Sequence, residues 1–450
     1  MITHDELNPM RRAAKQVVEK LQAEGYEAYF AGGAVRDMLL GQPSKDIDIA
    51  TSAKPDEVEA IFKRTISVGK SYGVIKALEN NHNFDVATFR KESEYLDNRR
   101  PSKITFARAK QDAIRRDFTI NGLFYDPVAQ KIIDFVGGQE DIKKKTIRFI
   151  GDPDERISED HLRLIRAIRF KVTLEFQYEP ATFNAVRKNH DLIENVSRER
   201  VRDELNVILR SPKRHQGLVE LSESGLLLQI IPEIESLKSL PQPIEYHREG
   251  DAFVHTYLAL KSLPVNTSEH LAWAILLHDI GKAQTLVRQG KKIIFHDHAR
   301  ISAEMAVKIL RRLKFPNVEI STISWLIANH MRVGDISKMR PIKALDFVTD
   351  PRFDDLIKLT RADSKGTYPV NLEMVRQMEK AEHDAYQWKQ QKKSIKKQQL
   401  LTGDDLIKIG LKPGKNFKKI IDDINDLTVA GKLKTKDESI QLVKKRYLNE

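Results

Sequence analysis

Residues 28–50 read AYFAGGAVRDMLLGQPSKDIDIA, and this stretch decides how the first part of the chain is built. An apolar run ends on Gly32-Gly33, Arg36-Asp37 follows, and a second apolar run carries Asp46-Ile47-Asp48. Residues two apart on a strand face the same side, so Asp46 and Asp48 project together. Two hard oxygen ligands on a rigid element suit Mg²⁺. Asp85, in the neighbouring run FDVATFR, is placed to add a third carboxylate. The glycine pair lets backbone approach phosphates, and Arg36 offers a charged fork. Taken singly these signals are weak, because a lone D-x-D is usually a solvated turn or cap and a lone Gly-Gly usually a turn.

Outward from this stretch, AYFAG at 28–32, IDIA at 47–50, VIKAL at 74–78 and FDVATF at 84–89 alternate with helical sequence such as 7–25. The first 150 residues therefore read as α+β. From about Asp160 the apolar residues recur at three-to-four spacing, as in LRLIRAIRF and RVRDELNVILR, which predicts helices. PQPIEY at 241–246 reads as a boundary, and QWKQQKKSIKKQQ near 386 as another. No fixed-period repeat is visible.

The chain has 450 residues, 76 Lys and Arg against 64 Asp and Glu, and a formal charge of +12. Residues 389–450 hold 16 of the basic residues and only 8 acids. Such a length calls for two to four domains, and 40% hydrophobic residues indicate a foldable chain rather than a disordered one. Cysteine is absent, which removes disulfides, thiolate nucleophiles and zinc–thiolate sites and fits a reducing compartment. There is no apolar leader after MITHDELNPMRRAAKQ and no long apolar span, so a cytosolic protein without a membrane partner is expected. The basic balance invites polyanionic partners.

Three further segments change the odds: Arg115-Arg116-Asp117-Phe118-Thr119-Ile120-Asn121-Gly122, then EDHLRLIRAIR at 159–169, then ERVRDEL at 199–205. On one helix Asp160 and Arg163 share a face; an exposed ion pair is the plain alternative. Arg163, Arg166 and Arg169 form a ladder beside Leu162, Leu164, Ile165 and Ile168. That stripe suits a triphosphate or a nucleic-acid backbone, with a solvated face as the alternative, above all for Arg169.

In these motifs the chain resembles the class II tRNA nucleotidyltransferases, the family of bacterial CCA-adding enzymes and bacterial poly(A) polymerases, over roughly residues 1–235. The resemblance implies a polymerase-β-like head with a mixed sheet, followed by an all-α neck, body and tail. It makes Asp46 and Asp48 ligands of Mg²⁺ and places Gly33 and Arg36 at the phosphates. Arg116, Asp117 and Asn121 are assigned to the incoming nucleotide and its ribose. It casts Asp160 and Arg163 as a protein template for C or A, with Arg166 and Arg169 also in the nucleotide site. The chemistry agrees: a carboxylate accepts from the exocyclic amine that cytosine and adenine share, and a guanidinium donates to a ring nitrogen or carbonyl. The implied reaction is attack of the tRNA 3′-hydroxyl on the α-phosphorus of CTP or ATP. Asp85 is placed to orient the hydroxyl proton, and a core aspartate capping a nearby N–H is the alternative. Arg90 to Phe106 has the composition of a mobile loop containing Asp97, Arg99, Arg100 and Pro101, and corresponds to the loop linked to the change from C to A addition. The segment 401–433 resembles the tail of CCA-adding enzymes, where it grips tRNA.

His255, His278-Asp279, His298, His330 and Asp363 lie in helical sequence and include LLHDIGK. This set resembles the HD phosphohydrolases, implying an inserted HD domain that holds a divalent metal through His255, His278, Asp279 and Asp363. His298 and His330 are further candidate ligands. The expected plan is a head at 1–150, a neck at 151–240, an HD domain at 245–370 and a basic tail at 385–450. Four functions stay open: CCA addition; A addition alone or poly(A) synthesis; an RNA 3′-end phosphohydrolase acting through the HD domain; and a silent RNA-binding protein, against which the intact Asp46 and Asp48 argue.

Overall fold

The computed structural model describes residues 8–67, 69–95, 101–245, 247–290, 292–370, 372–395, 400–414 and 416–448. The chain forms two compact units, Met1–Ile230 and Ile231–Glu450. No helix among the described residues is long and apolar enough to cross a membrane.

In the first unit, seven strands build one mixed sheet: β1 (Ala28–Ala31), β2 (Asp48–Thr51), β3 (Thr65–Ile66), β4 (Val74–Glu79), β5 (His82–Thr88), β8 (Leu123–Asp126) and β9 (Lys131–Asp134), in the order β3-β4-β5-β2-β1-β8-β9. Only β2 and β5 are parallel; the other neighbours are antiparallel. Helix Pro9–Ala23 buries Ala13, Ala14, Val17, Val18 and Leu21 at helical spacing, with Asn8 accepting from Met10 N at its start. Ala31, Ala50, Phe89, Ala109, Ala113 and Phe124 pack as one core cluster beneath the sheet. Where a loop was expected at 90–106, the flanks pair instead as a ribbon, β6 (Arg90–Tyr95) and β7 (Pro101–Phe106). Backbone pairing of alternating residues outweighs the charged composition there, and Asp97, Arg99 and Arg100 lie outside the described residues.

After the head, helices Arg163–Leu174 and Arg198–Arg210 bury Leu164, Ile165, Ile168, Val201, Leu205 and Ile208. The helical reading of this part needs one addition, a short parallel pair joining Thr146–Ile147 to Gln177–Tyr178.

The second unit is helical apart from a hairpin, Leu286–Gln289 with Lys292–Phe295, which the sequence reading took as helix. The break between units falls at 230/231, ahead of PQPIEY, and Gln242 is buried. Residue 386 lies inside a continuous helix, Leu372–Ile395. The tail helices Gly403–Lys408, Asn416–Val429 and Lys436–Tyr447 share a small core of Leu401, Leu406, Ile420, Ile424 and Val443. Arg340 binds Asp426 (2.6 Å) and Asp423 (3.2 Å) of helix Asn416–Val429. Asp426 Oδ1 also accepts from Ile342 N at 3.1 Å, capping helix Pro341–Val348.

Candidate functional site

Ala31 stands opposite Asp48 in the β1/β2 register, so the turn at Gly32 adjoins the first residue of β2. Gly32 has φ +66°, a conformation that favours glycine, and a Cβ there would meet Arg116 Nη1 at 2.9 Å and displace the tip of that side chain. Gly33 opens helix Gly33–Leu39 without that constraint. Asp46 precedes the strand rather than lying in it, but the alternation holds: Asp46 and Asp48 are exposed while Ile47 and Ile49 are buried. The parallel register sets Asp48 level with Asp85.

Asp46 and Asp48 line a cleft of about 1200 Å³ together with Gly33, Arg36, Arg116, Asp117, Asn121, Asp160, Arg163, Arg166 and Arg169. The structure thus brings eleven of the twelve residues expected at the nucleotide centre to one cavity. Asp85 is the exception. It is half-exposed, forms an ion pair with Lys76 at 2.8 Å, and is neither among the residues lining that cavity nor a core cap. Desolvation within the cleft, then Asp46 and Asp85, hold the Asp48 carboxyl above its ordinary range. Neither Asp46 nor Asp48 has a hydrogen-bond or ion-pair partner among the described residues.

Around them the charges are paired. Arg36 donates to Asp37 (2.9 and 2.7 Å) and to Asn121 Oδ1 (2.7 Å). Asn121 Nδ2 donates to Asp117 (3.1 Å), which also accepts from Arg166 Nε (2.8 Å). Burial works to raise the Asp117 carboxyl, but Arg166, Asn121 and Arg163 outweigh it and hold it well below the carboxylate range. Arg116 is anchored on buried Asp112 (3.1 Å).

The expected single helix across 159–163 is replaced by a break. Helix Pro153–Glu159 ends at Asp160, whose backbone is extended, and Arg163 opens the next helix. The Asp160 carboxylate accepts from Leu162 N (3.1 Å), a local bond that competes with helix continuation. It also binds Arg200 at 2.9 and 3.2 Å. Arg163, 7% exposed, donates to Glu159 Oε2 and Arg156 O at 2.7 Å and to Arg115 O at 2.9 Å. Nor is the ladder a solvated stripe: Arg169 pairs with Glu204 (3.0 Å), and Arg36, Arg166 and Arg169 stand over the Phe170 ring at 5.3, 5.4 and 4.3 Å. Burial, then Arg166, lowers the Arg169 guanidinium to about 10. Arg200, Glu204 and Phe170 had no assigned role in the sequence reading. The i, i+4 spacing of Arg200 and Glu204 was the available signal.

The second unit brings together all six expected HD residues. His255 Nε2 lies 2.9 Å from Asp363 Oδ1 and 3.3 Å from His278 Nε2. Asp279 lies 3.3 Å from His278 Nε2 and 3.5 Å from His298 Nε2. Asp279 is common to two groups within mutual metal reach, His255/His278/Asp279 and Asp279/His298/His330. Nδ1 of His278, His298 and His330 faces the carbonyls of Ile275, Phe295 and Ile327 at 2.7, 3.1 and 2.7 Å. A carbonyl only accepts, so each Nδ1 carries a proton and each Nε2 is left to the cluster. Burial opposes charge here, yet His278 and Lys282 hold Asp279 well below the carboxylate range, and Asp279 with Asp363 pushes His278 up to about 10. Lys282, of LLHDIGK, binds Asp279 (2.7 Å) and Gln242 (2.8 Å). The sequence reading missed Gln242, which lies in the boundary stretch PQPIEY, and His247 and Glu249, which follow it at the start of the expected HD domain. A cavity of about 630 Å³ opens on this cluster, lined by Asp279, His298, His330 and Asp363 together with Phe295, Met331 and Met374.

The Poly A polymerase head domain family model matches residues 28–148, the probable RNA and SrmB-binding site of polymerase A 175–238, and the HD domain 252–365. The CCA-adding enzyme of Staphylococcus epidermidis is 34% identical over 340 residues, 73% of this chain and 84% of that protein. That of Enterococcus faecalis is 39% identical over 282 residues, 62% of this chain and 66% of that one, and that of Streptococcus gordonii 41% over 260 residues, 56% and 65%. The chain therefore spans just under two-thirds of the latter two. Among solved structures, the Bacillus stearothermophilus CCA-adding enzyme in complex with CTP superposes with a TM-score of 0.71 at 26% identity, covering 99% of this chain and 100% of that one. The Thermotoga maritima CCA-adding enzyme complexed with tRNA shares the fold, with a TM-score of 0.59 at 17% identity over 97% and 95% of the two chains. From the carboxylates at the start of β2 to the helices behind them, the chain belongs to the family of the CCA-adding enzymes.

Proposed function

We propose that the chain adds C, C and A to the 3′ end of tRNA, taking CTP and ATP as substrates, using no nucleic-acid template and releasing pyrophosphate. The observation that carries this is one cleft holding Asp46 and Asp48, two carboxylates without ion-pair partners among the described residues, together with Asp160 and Arg163. The carboxylates fit Mg²⁺: they are exposed to the cleft, lack side-chain partners among the described residues, and Asp48 is destabilised as an anion. Bound there, Mg²⁺ would supply charge neutralisation at the triphosphate and the attacking hydroxyl. Arg36 and Arg116 face the phosphates, Asp117 and Asn121 the ribose, and Asp160 and Arg163 the base edge. Arg166 and Arg169 complete the cationic wall over Phe170. Positioning and electrostatics carry such a transfer, and most of these groups are held in place by salt bridges. Asp85 is left as an orienting group at the edge of the site. In this reading residues 1–150 are the catalytic head, 151–240 the base-reading neck and 385–450 the tRNA-gripping tail. A cytosolic setting, expected from the cysteine-free composition, belongs to the same proposal.

A second reading has its own observation: six HD residues converge, with imidazole tautomers fixed toward a common space. We assign residues 245–370 as a divalent-metal phosphohydrolase domain acting on RNA 3′ ends.

Purified protein with Mg²⁺ and tRNA lacking its CCA end, given CTP alone, ATP alone and both, tests the first reading. Two C's and one A, then arrest, is the expected product. A long A ladder, or extension only of tRNA ending in CC, reassigns the chain to poly(A) synthesis or A addition.

A further inference from the structure

Glu249 lies on the turn that leads into helix Ala252–Ser262, with its side chain 2% exposed. Its Oε1 is 2.6 Å from His247 Nδ1 and 3.3 Å from His255 Nδ1, and its Oε2 accepts from Tyr368 N at 2.8 Å. His255 is fully buried, and its Nδ1 makes no aligned hydrogen bond among the described residues, the carboxylate oxygen of Glu249 being the group it approaches at ion-pair distance. Glu249 is thus the acceptor within its reach. The other nitrogen of the same ring, Nε2, faces Asp363 and His278. A neutral imidazole offers the Nε2 lone pair only when its proton sits on Nδ1, and the group accepting that proton fixes both tautomer and ring angle. For His278, His298 and His330 a backbone carbonyl does this; for His255 the group is a carboxylate. A carboxylate partner also makes the ligating nitrogen more basic. Glu249 stands three residues ahead of the segment that matches the HD domain family.

We propose that Glu249 is a positioning residue of the HD cluster. It holds His255 as the Nδ1–H tautomer with Nε2 turned to a divalent cation, and His247, bound to the same oxygen, braces the carboxylate. The proposal rests on the reading of His255, His278, Asp279 and Asp363 as metal ligands.

The test uses the full-length chain carrying Asp46→Asn and Asp48→Asn, so that the head carboxylates do not contribute, and follows free Mn²⁺ by electron paramagnetic resonance during titration. His278→Ala in that background is expected to abolish binding and so marks the site. Glu249→Gln is expected to raise the Kd for Mn²⁺ about tenfold or more, and Glu249→Asp to fall between. An unchanged Kd in Glu249→Gln, with binding still abolished in His278→Ala, overturns the positioning role and leaves the HD assignment standing. A titration that His278→Ala does not alter overturns the HD assignment itself. A second measurement needs no Glu249 variant: long-range proton–nitrogen spectra of histidine-labelled protein saturated with diamagnetic Mg²⁺, so that Asp363 no longer takes the Nε2 proton, are expected to show His255 protonated at Nδ1. A ring protonated at Nε2 overturns the proposal whatever the metal titration gives.

Discussion

Arg200 holds the carboxylate of Asp160 from 40 positions away, with Nη2 2.9 Å from Oδ2 and Nη1 3.2 Å from Oδ1. A carboxylate fixed this way can accept from a base amine without first being ordered. Arg200→Ala should therefore blunt the choice of C and A over U. Removing a charge-assisted hydrogen bond corresponds to roughly 1.5–3 kcal/mol, or about 10- to 100-fold in discrimination. Single-nucleotide incorporation assays with CTP, ATP and UTP measure it; unchanged ratios would sink the idea.

Asp46→Asn or Asp48→Asn should remove detectable nucleotide addition while tRNA binding stays within a few-fold of the parent. Gel-shift titration beside the incorporation assay separates the two effects. Normal activity in either variant contradicts the metal assignment.

The Asp117–Arg166 pair predicts an acid-sensitive head. Asp117 is held well below its ordinary value, so its contribution is fully present above the unfolded carboxyl pKa, about 3.9, and drains away as pH falls below that value. Asp117→Asn should flatten the loss of thermal stability between pH 5 and pH 3. Equal slopes for parent and variant would show that the pair is not what titrates.

The tail's exposed lysines should set part of the salt dependence of tRNA binding. Replacing Lys418, Lys419, Lys434 and Lys445 with Gln should reduce the slope of log K against log salt by about 0.7–0.9 for each phosphate no longer neutralised. A parental slope in the quadruple variant would move the RNA grip elsewhere.

What could be read in the sequence was local and periodic. The alternation at 46–49 places two carboxylates on one side whether or not the strand includes Asp46, and the spaced histidines fall on helix ends that meet. What could not be read depends on partners distant in the chain. Asp160 breaks its helix by binding Leu162 N and then takes Arg200 from the next helix but two; Arg163 is consumed by Glu159, Arg156 and Arg115, which no spacing rule announces. Gln242 looked like linker, and Glu249 carried no signal, because a turn that folds back into a core keeps the composition of a turn. Charged residues at 90–106 suggested a loop, yet the flanks pair through their backbones, which side-chain composition does not announce.

Helix Pro341–Val348 begins on a backbone N–H that Asp426 satisfies, and the side chain that precedes it, Arg340, is bound by the same helix of the tail. A ribosome that has delivered only the first 400 residues has therefore made a body whose helix start still lacks its acceptor. The start of helix Pro341–Val348 is completed only once helix Asn416–Val429 has been made. Nascent chains stalled before residue 426 should carry a protease-sensitive segment at 340–348 that the finished protein does not show.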